Sequence, residues 1–377
     1  MRILSSISEV AAAQWNALNA TDTPFLRHEF LAALEREGCV GEARGWVSHH
    51  LLLEDAAGRI QGAMPLYLKS HSWGEFVFDW SWAKAYTQAG LSYYPKLVSM
   101  TPFTPATGPR ILVAPHADAV QVRQMLVAAL TDYAQRHSLS SAHVLFAADV
   151  DREPLTDARF IWRKDCQFHW HNRGYASFDD FMATFRADKR KKALRERRRV
   201  REGGVIFRTL AGSEMTDELW DIVFAFSATT FAMHGHEHYL SAAFFKSISA
   251  SLPDLIMVKL ALLQDQPIAA AIFFRSRETL YGRYWGALAN FDSLHFETCY
   301  YQGIDYCIEH GLANFEPGTQ GEHKIARGFE PTTTWSAHWI ADARFRRAID
   351  SYLAQERDAV DEYMASVEEH GPFRRGP

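Results

Sequence analysis

The chemically able residues of this 377-residue chain crowd into one short stretch. Glu316, Gln320, Glu322, His323, Lys324 and Arg327 belong to a Gly-rich segment, FEPGTQGEHKIARGF, that ends a short apolar run at 312–316. A carboxylate and an imidazole can take up and pass on a proton, and an ammonium and a guanidinium can hold a phosphate or carboxylate. Pro317-Gly318 reads as a turn that ends a strand, so the cluster falls where a strand leaves its sheet, a usual ligand position in α/β folds. An aromatic strand at 280–287 stands upstream and brings Tyr284, Trp285 and Gly286. Each residue also has a duller reading. Strand aromatics are commonly core, Glu316 and Lys324 can simply pair, and His323 can be a turn residue. Gathering on one loop is what favours chemistry.

The elements that must position this loop follow from periodicity. Tyr300, Ile304, Cys307 and Ile308 recur at i, i+4, i+7 and i+8, which predicts a helix with Asp292 and Ser293 able to cap its start and Gly311 fitting its end. Residues 255–263 and 268–275 read as a hairpin. The first half shows the same order. Residues 7–18 and 29–36 read as helices, 49–54 and 60–69 as a hairpin, 75–82 as an aromatic strand, 119–137 as an amphipathic helix and 142–147 as a strand. The repeated order predicts an α/β protein built from two copies of one unit, each a mixed, mostly antiparallel sheet flanked by helices. The corresponding division is a first domain at 1–175, a basic connecting helix at 176–204, a second domain at 205–341, and a C-terminal helix and tail at 342–377.

The connecting helix has the most unusual composition. Ser177 is placed to cap it, and Phe178, Phe181, Met182 and Phe185 give it an apolar start. From Arg186 to Arg201 there are ten basic residues against two acidic ones, a local charge of +8 in a chain of net −5. Charges at every helical angle cannot all be paired within the helix, so a polyanion is a natural partner. The alternative is a solvated helix satisfied by acidic faces elsewhere. Lys189, Arg190, Arg197, Arg198 and Arg199 are the candidate anion-binding residues. At the C-terminus, Phe345, Ile349, Leu353, Val360 and Val367 form an apolar stripe suited to docking on the body or pairing in an oligomer. His234, His236 and His238 have a spacing that can ligate zinc, but no further ligands are evident and no metal is assigned.

Bulk composition excludes other classes. With 47% hydrophobic and 23% charged residues the chain is not globally disordered. Four cysteines without C-x-x-C spacing fit free thiols in a reducing cytoplasm. The N-terminus has no signal-peptide pattern, and no apolar run approaches the ~20 residues of a spanning helix. A cytoplasmic protein is expected.

The segments HWHNRGY at 169–175 and FDDF at 178–181, the basic run, and FEPGTQGEHKIARGF at 315–329 resemble the FemAB-like predicted N-acyltransferases, grouped under peptidoglycan biosynthesis and recognition. The resemblance reaches from the first hairpin to the end of the last sheet. It implies tandem GNAT-type folds and transfer of an acyl or aminoacyl group to an amine. Relatives in the wider Fem group take aminoacyl-tRNA as donor and extend a cell-wall peptide. The chain departs from the family pattern at 233–240, MHGHEHYL, where little histidine is expected.

Acyl transfer to an amine needs a neutral amine, a held carbonyl and a stabilised oxyanion. On that implication Glu316 or His323 takes the proton, with Tyr284 as a third catalytic candidate. Backbone N–H groups where 284–287 parts from its neighbour hold the oxyanion, and Gly286 permits close approach. Trp285, Gln320, Lys324 and Arg327, with Asp79 and Trp80 from the first copy's aromatic strand, bind substrate. No G-x-S-x-G and no reactive cysteine is present, so no covalent intermediate and no tightly bound cofactor is expected. A CoA-dependent GNAT carries a Q/R-x-x-G-x-G/A loop; Thr107-Gly108-Pro109-Arg110 and Gln320-Gly321 both fail that spacing. This favours aminoacyl-tRNA over acyl-CoA as donor, and an amine-bearing small molecule or peptide as acceptor. The alternatives are an acyl-CoA-dependent N-acetyltransferase of the same fold and a non-catalytic module binding RNA or peptide.

Overall fold

A computed structural model describes residues 1–289, 291–319 and 321–374. In chain order the strands are β1 (Arg2–Leu4), β2 (Trp46–Ser48), β3 (His50–Glu54), β4 (Ile60–Met64), β5 (Tyr67–Lys69), β6 (Lys96–Ser99), β7 (Leu112–Val113), β8 (Ser141–Val144), β9 (Ile161–His171), β10 (Val205–Ala211), β11 (Ile256–Leu263), β12 (Gln266–Arg275), β13 (Thr279–Ala287), β14 (Asn314–Glu316) and β15 (Glu330–Ile340). The helices are α1 (Ala12–Asn16), α2 (His28–Arg36), α3 (Trp80–Gln88), α4 (Ala119–Arg136), α5 (Arg152–Asp157), α6 (Phe178–Ala183), α7 (Ala187–Glu202), α8 (Asp217–Met233), α9 (Ala242–Ser251), α10 (Leu294–Phe296), α11 (Gln302–Glu309) and α12 (Ala343–Glu369).

The chain folds into two units, the first made of 1–165 and 333–362 and the second of 166–332 and 363–377. These boundaries lie elsewhere than the division drawn from the sequence at 175, 204 and 341. The reason is strand exchange: Ala337–Ile340 of β15 pair antiparallel with β8, so a late segment completes the first unit's sheet. In the second unit β14 likewise lies antiparallel to β9, with Phe315 opposite Trp170.

In the first unit β1, β3, β4 and β7 form one antiparallel sheet, and β2, β5, β6, β8 and β15 lie side by side in another. The expected strand at 60–69 is therefore two strands in two sheets. Pro65 between them lacks the N–H that a continuous ladder needs. The expected strand at 75–82 is also corrected. Gly74 and Phe76 have positive φ, and from Trp80 the chain is helix α3, with Trp82 and Tyr86 buried one turn apart. Aromatic richness suggested a strand where helical spacing decides. At 7–18 a 3₁₀ turn and the five-residue α1 replace one continuous helix.

The second unit carries β10 to β13 as antiparallel neighbours, then β14 parallel to β13, then β9. The first unit repeats the pattern: antiparallel neighbours, the parallel pair β6 and β8, then antiparallel β15. The second unit's core gathers Trp170, Phe181, Phe185, Tyr301 and Phe315 around α6 and the helix between β13 and β14. Each such side chain, fully buried, stabilises by about 1.5–3 kcal/mol. Ile349 and Leu353 of α12 are buried in the first unit's core, and Val367 in the second's. No helix among the described residues is long and apolar enough to cross a membrane.

Candidate active site

The site is set by where β13 loses a neighbour. It pairs with β14 over three residues only, from Thr279 opposite Asn314 to Tyr281 opposite Glu316. Beyond Tyr281, among the described residues, it runs on to Ala287 paired with β12 alone. The β12–β13 register shifts there, since Phe273 faces Gly282 and Ile272 faces Tyr284, which leaves Arg283 as the extra residue of a bulge. A bulge bends its strand and re-aims a side chain. The Arg283 side chain is 4% exposed, and its guanidinium lies 4.0 Å from the carboxylate of Glu316, the last residue of β14. The second half thus parts between two strands, as 284–287 was expected to do.

The loop after β14 returns over this opening as a 3₁₀ turn, Glu322–Arg327. Gly321 has φ 113°, and a Cβ there would stand 2.2 Å from the His323 ring, so only glycine lets the imidazole fold back. The His323 Nε2 meets the Tyr300 hydroxyl at 2.8 Å. Burial, then Lys324 and Arg327, push its pKa below the ordinary histidine value, so the ring is a neutral proton acceptor near pH 7. Lys324 is 2% exposed and donates to the Gly318 carbonyl at 2.6 Å. Burial first and Arg283 second bring its pKa down to about 7. The His295 ring lies tilted against Trp285 at 5.3 Å, and burial, then His323, Arg327 and Lys324, bring its pKa down to about 4. Cys299 is half-buried, and desolvation pushes its thiol pKa well up, so it offers no thiolate. The opening therefore holds a carboxylate, two neutral imidazoles and an amine that sheds its proton near neutrality.

The structure brings together Glu316, His323, Lys324 and Trp285 from the expected set. It sends others elsewhere. The Tyr284 ring packs with His238 at 4.9 Å and Phe245 at 5.5 Å, on the side of α8 and α9, while Trp285 turns to His295. Gly286 does permit a close approach, but of helix α8: a Cβ there would lie 1.9 Å from the Phe226 carbonyl oxygen. Arg327 is tied to the protein, donating to Glu196 at 2.8 Å and to the His323 carbonyl at 2.6 Å. Asp79 and Trp80 are not on a strand. Asp79 is buried in the first unit, ion-paired with Lys96 and accepting from the Tyr93 hydroxyl at 2.6 Å, and the Trp80 ring lies tilted against Trp73 at 5.2 Å. Gln320 lies outside the described residues. His238 is half-buried and bonds the Ser227 hydroxyl at 3.0 Å, and His234 bonds the Thr230 carbonyl. Among the described residues no group of three His, Cys, Asp or Glu is arranged for a metal.

Helix α7 has two faces. Ala193, Glu196 and Val200 are buried. On the other side Arg190, Lys191, Arg195, Arg198 and Arg201 line a groove of about 1200 Å³ with Leu194 and strand β10. Arg197 does not contribute a free charge: it is bound by Glu297 and Asp305 and lies over the Phe178 ring. Arg199 pairs with Asp292 at 2.8 Å, which uses the residue expected to cap the next helix. Glu297 opens a π-helical segment, Glu297–Tyr301, a geometry frequent at functional sites. Residues missed by the sequence reading are Arg283, Glu196 and His295. Only Glu196 left a signal, as one acid in register with Ala193 and Val200.

No curated protein matches the chain. Solved structures similar to it include the C-terminal domain of a putative lysylphosphatidylglycerol synthetase from Agrobacterium fabrum, at 9% identity and TM-score 0.57, covering 92% of this chain and 97% of that one. FemX matches at 10% identity and TM-score 0.55, covering 93% and 100%. The L-PGS of Bacillus licheniformis matches at 8% identity and TM-score 0.52, covering 89% and 97%. At such identities these likenesses establish the fold alone, a mixed α/β arrangement of large sheets flanked by helices. The FemAB-like family model, described as peptidoglycan biosynthesis and recognition, matches residues 6–375. With that match over nearly its whole length, the chain belongs to the FemAB-like family.

Proposed function

We propose that the protein transfers an aminoacyl group from aminoacyl-tRNA to the amine of a peptide acceptor, at the opening between β13 and β14. The observation that carries this reading is that opening itself, where three residues of pairing give way to a bulge whose Arg283 lies 4.0 Å from Glu316, with His323 and Lys324 on the 3₁₀ turn that follows β14. The acceptor amine forms a C–N bond to the ester carbonyl as the C–O bond to the ribose breaks. His323, a neutral imidazole, takes the ammonium proton directly or through water, and the leaving ribose oxygen receives a proton in return. Arg283 supplies positive charge toward the developing oxyanion, and Lys324, with a pKa of about 7, supplies an N–H donor. The groove cations of α7 hold the donor's phosphates. Family membership supports a peptide acceptor.

The test is single-turnover transfer from labelled aminoacyl-tRNA to a panel of amine-bearing cell-wall peptides, with CoA thioesters in parallel. Label in the peptide with tRNA as donor is expected. Turnover with thioesters alone would replace the donor, and tRNA binding without any transfer would leave a binding module.

A further inference from the structure

One buried acid joins the anion-binding helix to the proton-handling loop. Glu196 sits on the inner face of α7, opposite the groove, and 7% of it is exposed. One carboxylate oxygen accepts from the Arg327 guanidinium at 2.8 Å, and the other accepts from the Tyr301 hydroxyl at 2.7 Å. Arg327 in turn donates to the His323 carbonyl at 2.6 Å and lies flat over the Phe296 ring, 3.4 Å from its centroid. The His323 ring is held separately by the hydroxyl of Tyr300, which neighbours Tyr301 in the π-helical segment 297–301. Glu196, Phe296 and Tyr300 thus hold the 3₁₀ turn that presents His323 and Lys324.

We propose that Glu196 and Arg327 are positioning residues, through which helix α7 sets the orientation of the His323 imidazole. This rests on the transfer reading above. A buried ion pair is a poor device for stability alone, because well-packed apolar residues serve as well or better. What it supplies here is direction. The planar guanidinium places one N–H on the helix and another on the carbonyl of the very residue that handles the proton. Neither residue touches the reacting atoms, and neither lines the groove. Their loss therefore acts on turnover rather than on donor capture.

The test uses the full-length chain with Glu196→Gln, Arg327→Lys and the double variant Glu196→Gln/Arg327→Met, which keeps bulk but no charge. Three quantities are measured: kcat and KM for aminoacyl-tRNA, anisotropy binding of deacylated tRNA, and the His323 ring ¹⁵N shifts. Each variant is expected to lose at least about tenfold in kcat with KM within about twofold, the signature of an interaction felt in the transition state. The His323 ¹⁵N shifts move, while tRNA affinity stays put. Restored kcat in the double variant, or a kcat that merely tracks melting temperature, would overturn the assignment. Should the wild type transfer nothing to any acceptor, the function fails separately, and the relay is judged on the ring shifts alone. Unchanged ¹⁵N shifts in Glu196→Gln would then dismiss it.

Discussion

Lys324 is buried with one carbonyl for a partner, and a charged ammonium is costly in that place. Its folded pKa of about 7 lies below the unfolded value. Between about 7 and ~10.4 the unfolded chain binds the additional proton, so stability rises with pH across that window. In Lys324→Met this rise should vanish, and the variant should exceed the wild type at pH 7 by roughly 1–3 kcal/mol while losing at least about tenfold in transfer rate. Urea melts at pH 6, 8 and 10 decide; a slope unchanged by the substitution would show an ammonium in contact with water. A second contrast separates two candidates that looked alike. His323→Ala should abolish most transfer, whereas Tyr284→Phe should stay within about twofold of wild type, because its ring lies among His238, Phe231 and Phe245. The loop residues were legible because they are contiguous in sequence. Arg283 was not, since a bulge is a property of two strands, and its neighbours Tyr281, Tyr284 and Trp285 read as an ordinary aromatic strand.

At the level of elements, one glycine decides how α8 meets the sheet. A Cβ on Gly286 would fall 1.9 Å from the Phe226 oxygen and 2.5 Å from the Ser227 nitrogen, both backbone atoms that a rotamer change does not move. Gly286→Ala should therefore push α8 off β13 and cost at least about 2 kcal/mol by chemical denaturation. Helix α7 gives the complementary case. The one helix expected over 176–204 is two: the Ser177 cap and the apolar start belong to α6, and α7 begins anew at Ala187 with no side-chain cap, so only its Gly203 stop and its excess of charge were readable. Which charges are free was not, because Glu297, Asp305 and Asp292 lie about a hundred residues away. Reversal of Arg190, Lys191 and Arg195 should weaken tRNA binding and flatten its log–log salt dependence by about 2–3. Arg197→Glu should instead destabilise the fold, by leaving buried Glu297 without its counter-charge. Equal losses of tRNA affinity in both variants, with equal melting temperatures, would contradict this division of the helix.

For the whole chain, the repeated element order announced a duplication, and both units do show a parallel pair flanked by antiparallel strands. What element order does not carry is pairing partner. The strand that finishes the first unit's sheet is β15, nearly two hundred residues beyond β8 along the chain. The register is firm, from Ala337 opposite Val144 to Ile340 opposite Ser141. Ile340, Ile349 and Leu353 also close a core with Trp82, Tyr86 and Tyr93. A fragment ending at residue 175 lacks every one of these late residues, leaves β8 with an open edge, and exposes those aromatics. It should aggregate or melt without cooperativity. Residues 1–165 joined by a flexible linker to 333–362 should instead melt as one transition, because that sequence contains the complete unit. Circular dichroism melts of the two fragments decide the matter: a cooperative transition in 1–175 alone would show that β15 is dispensable to the first sheet, and that the strand exchange is not what holds this unit together.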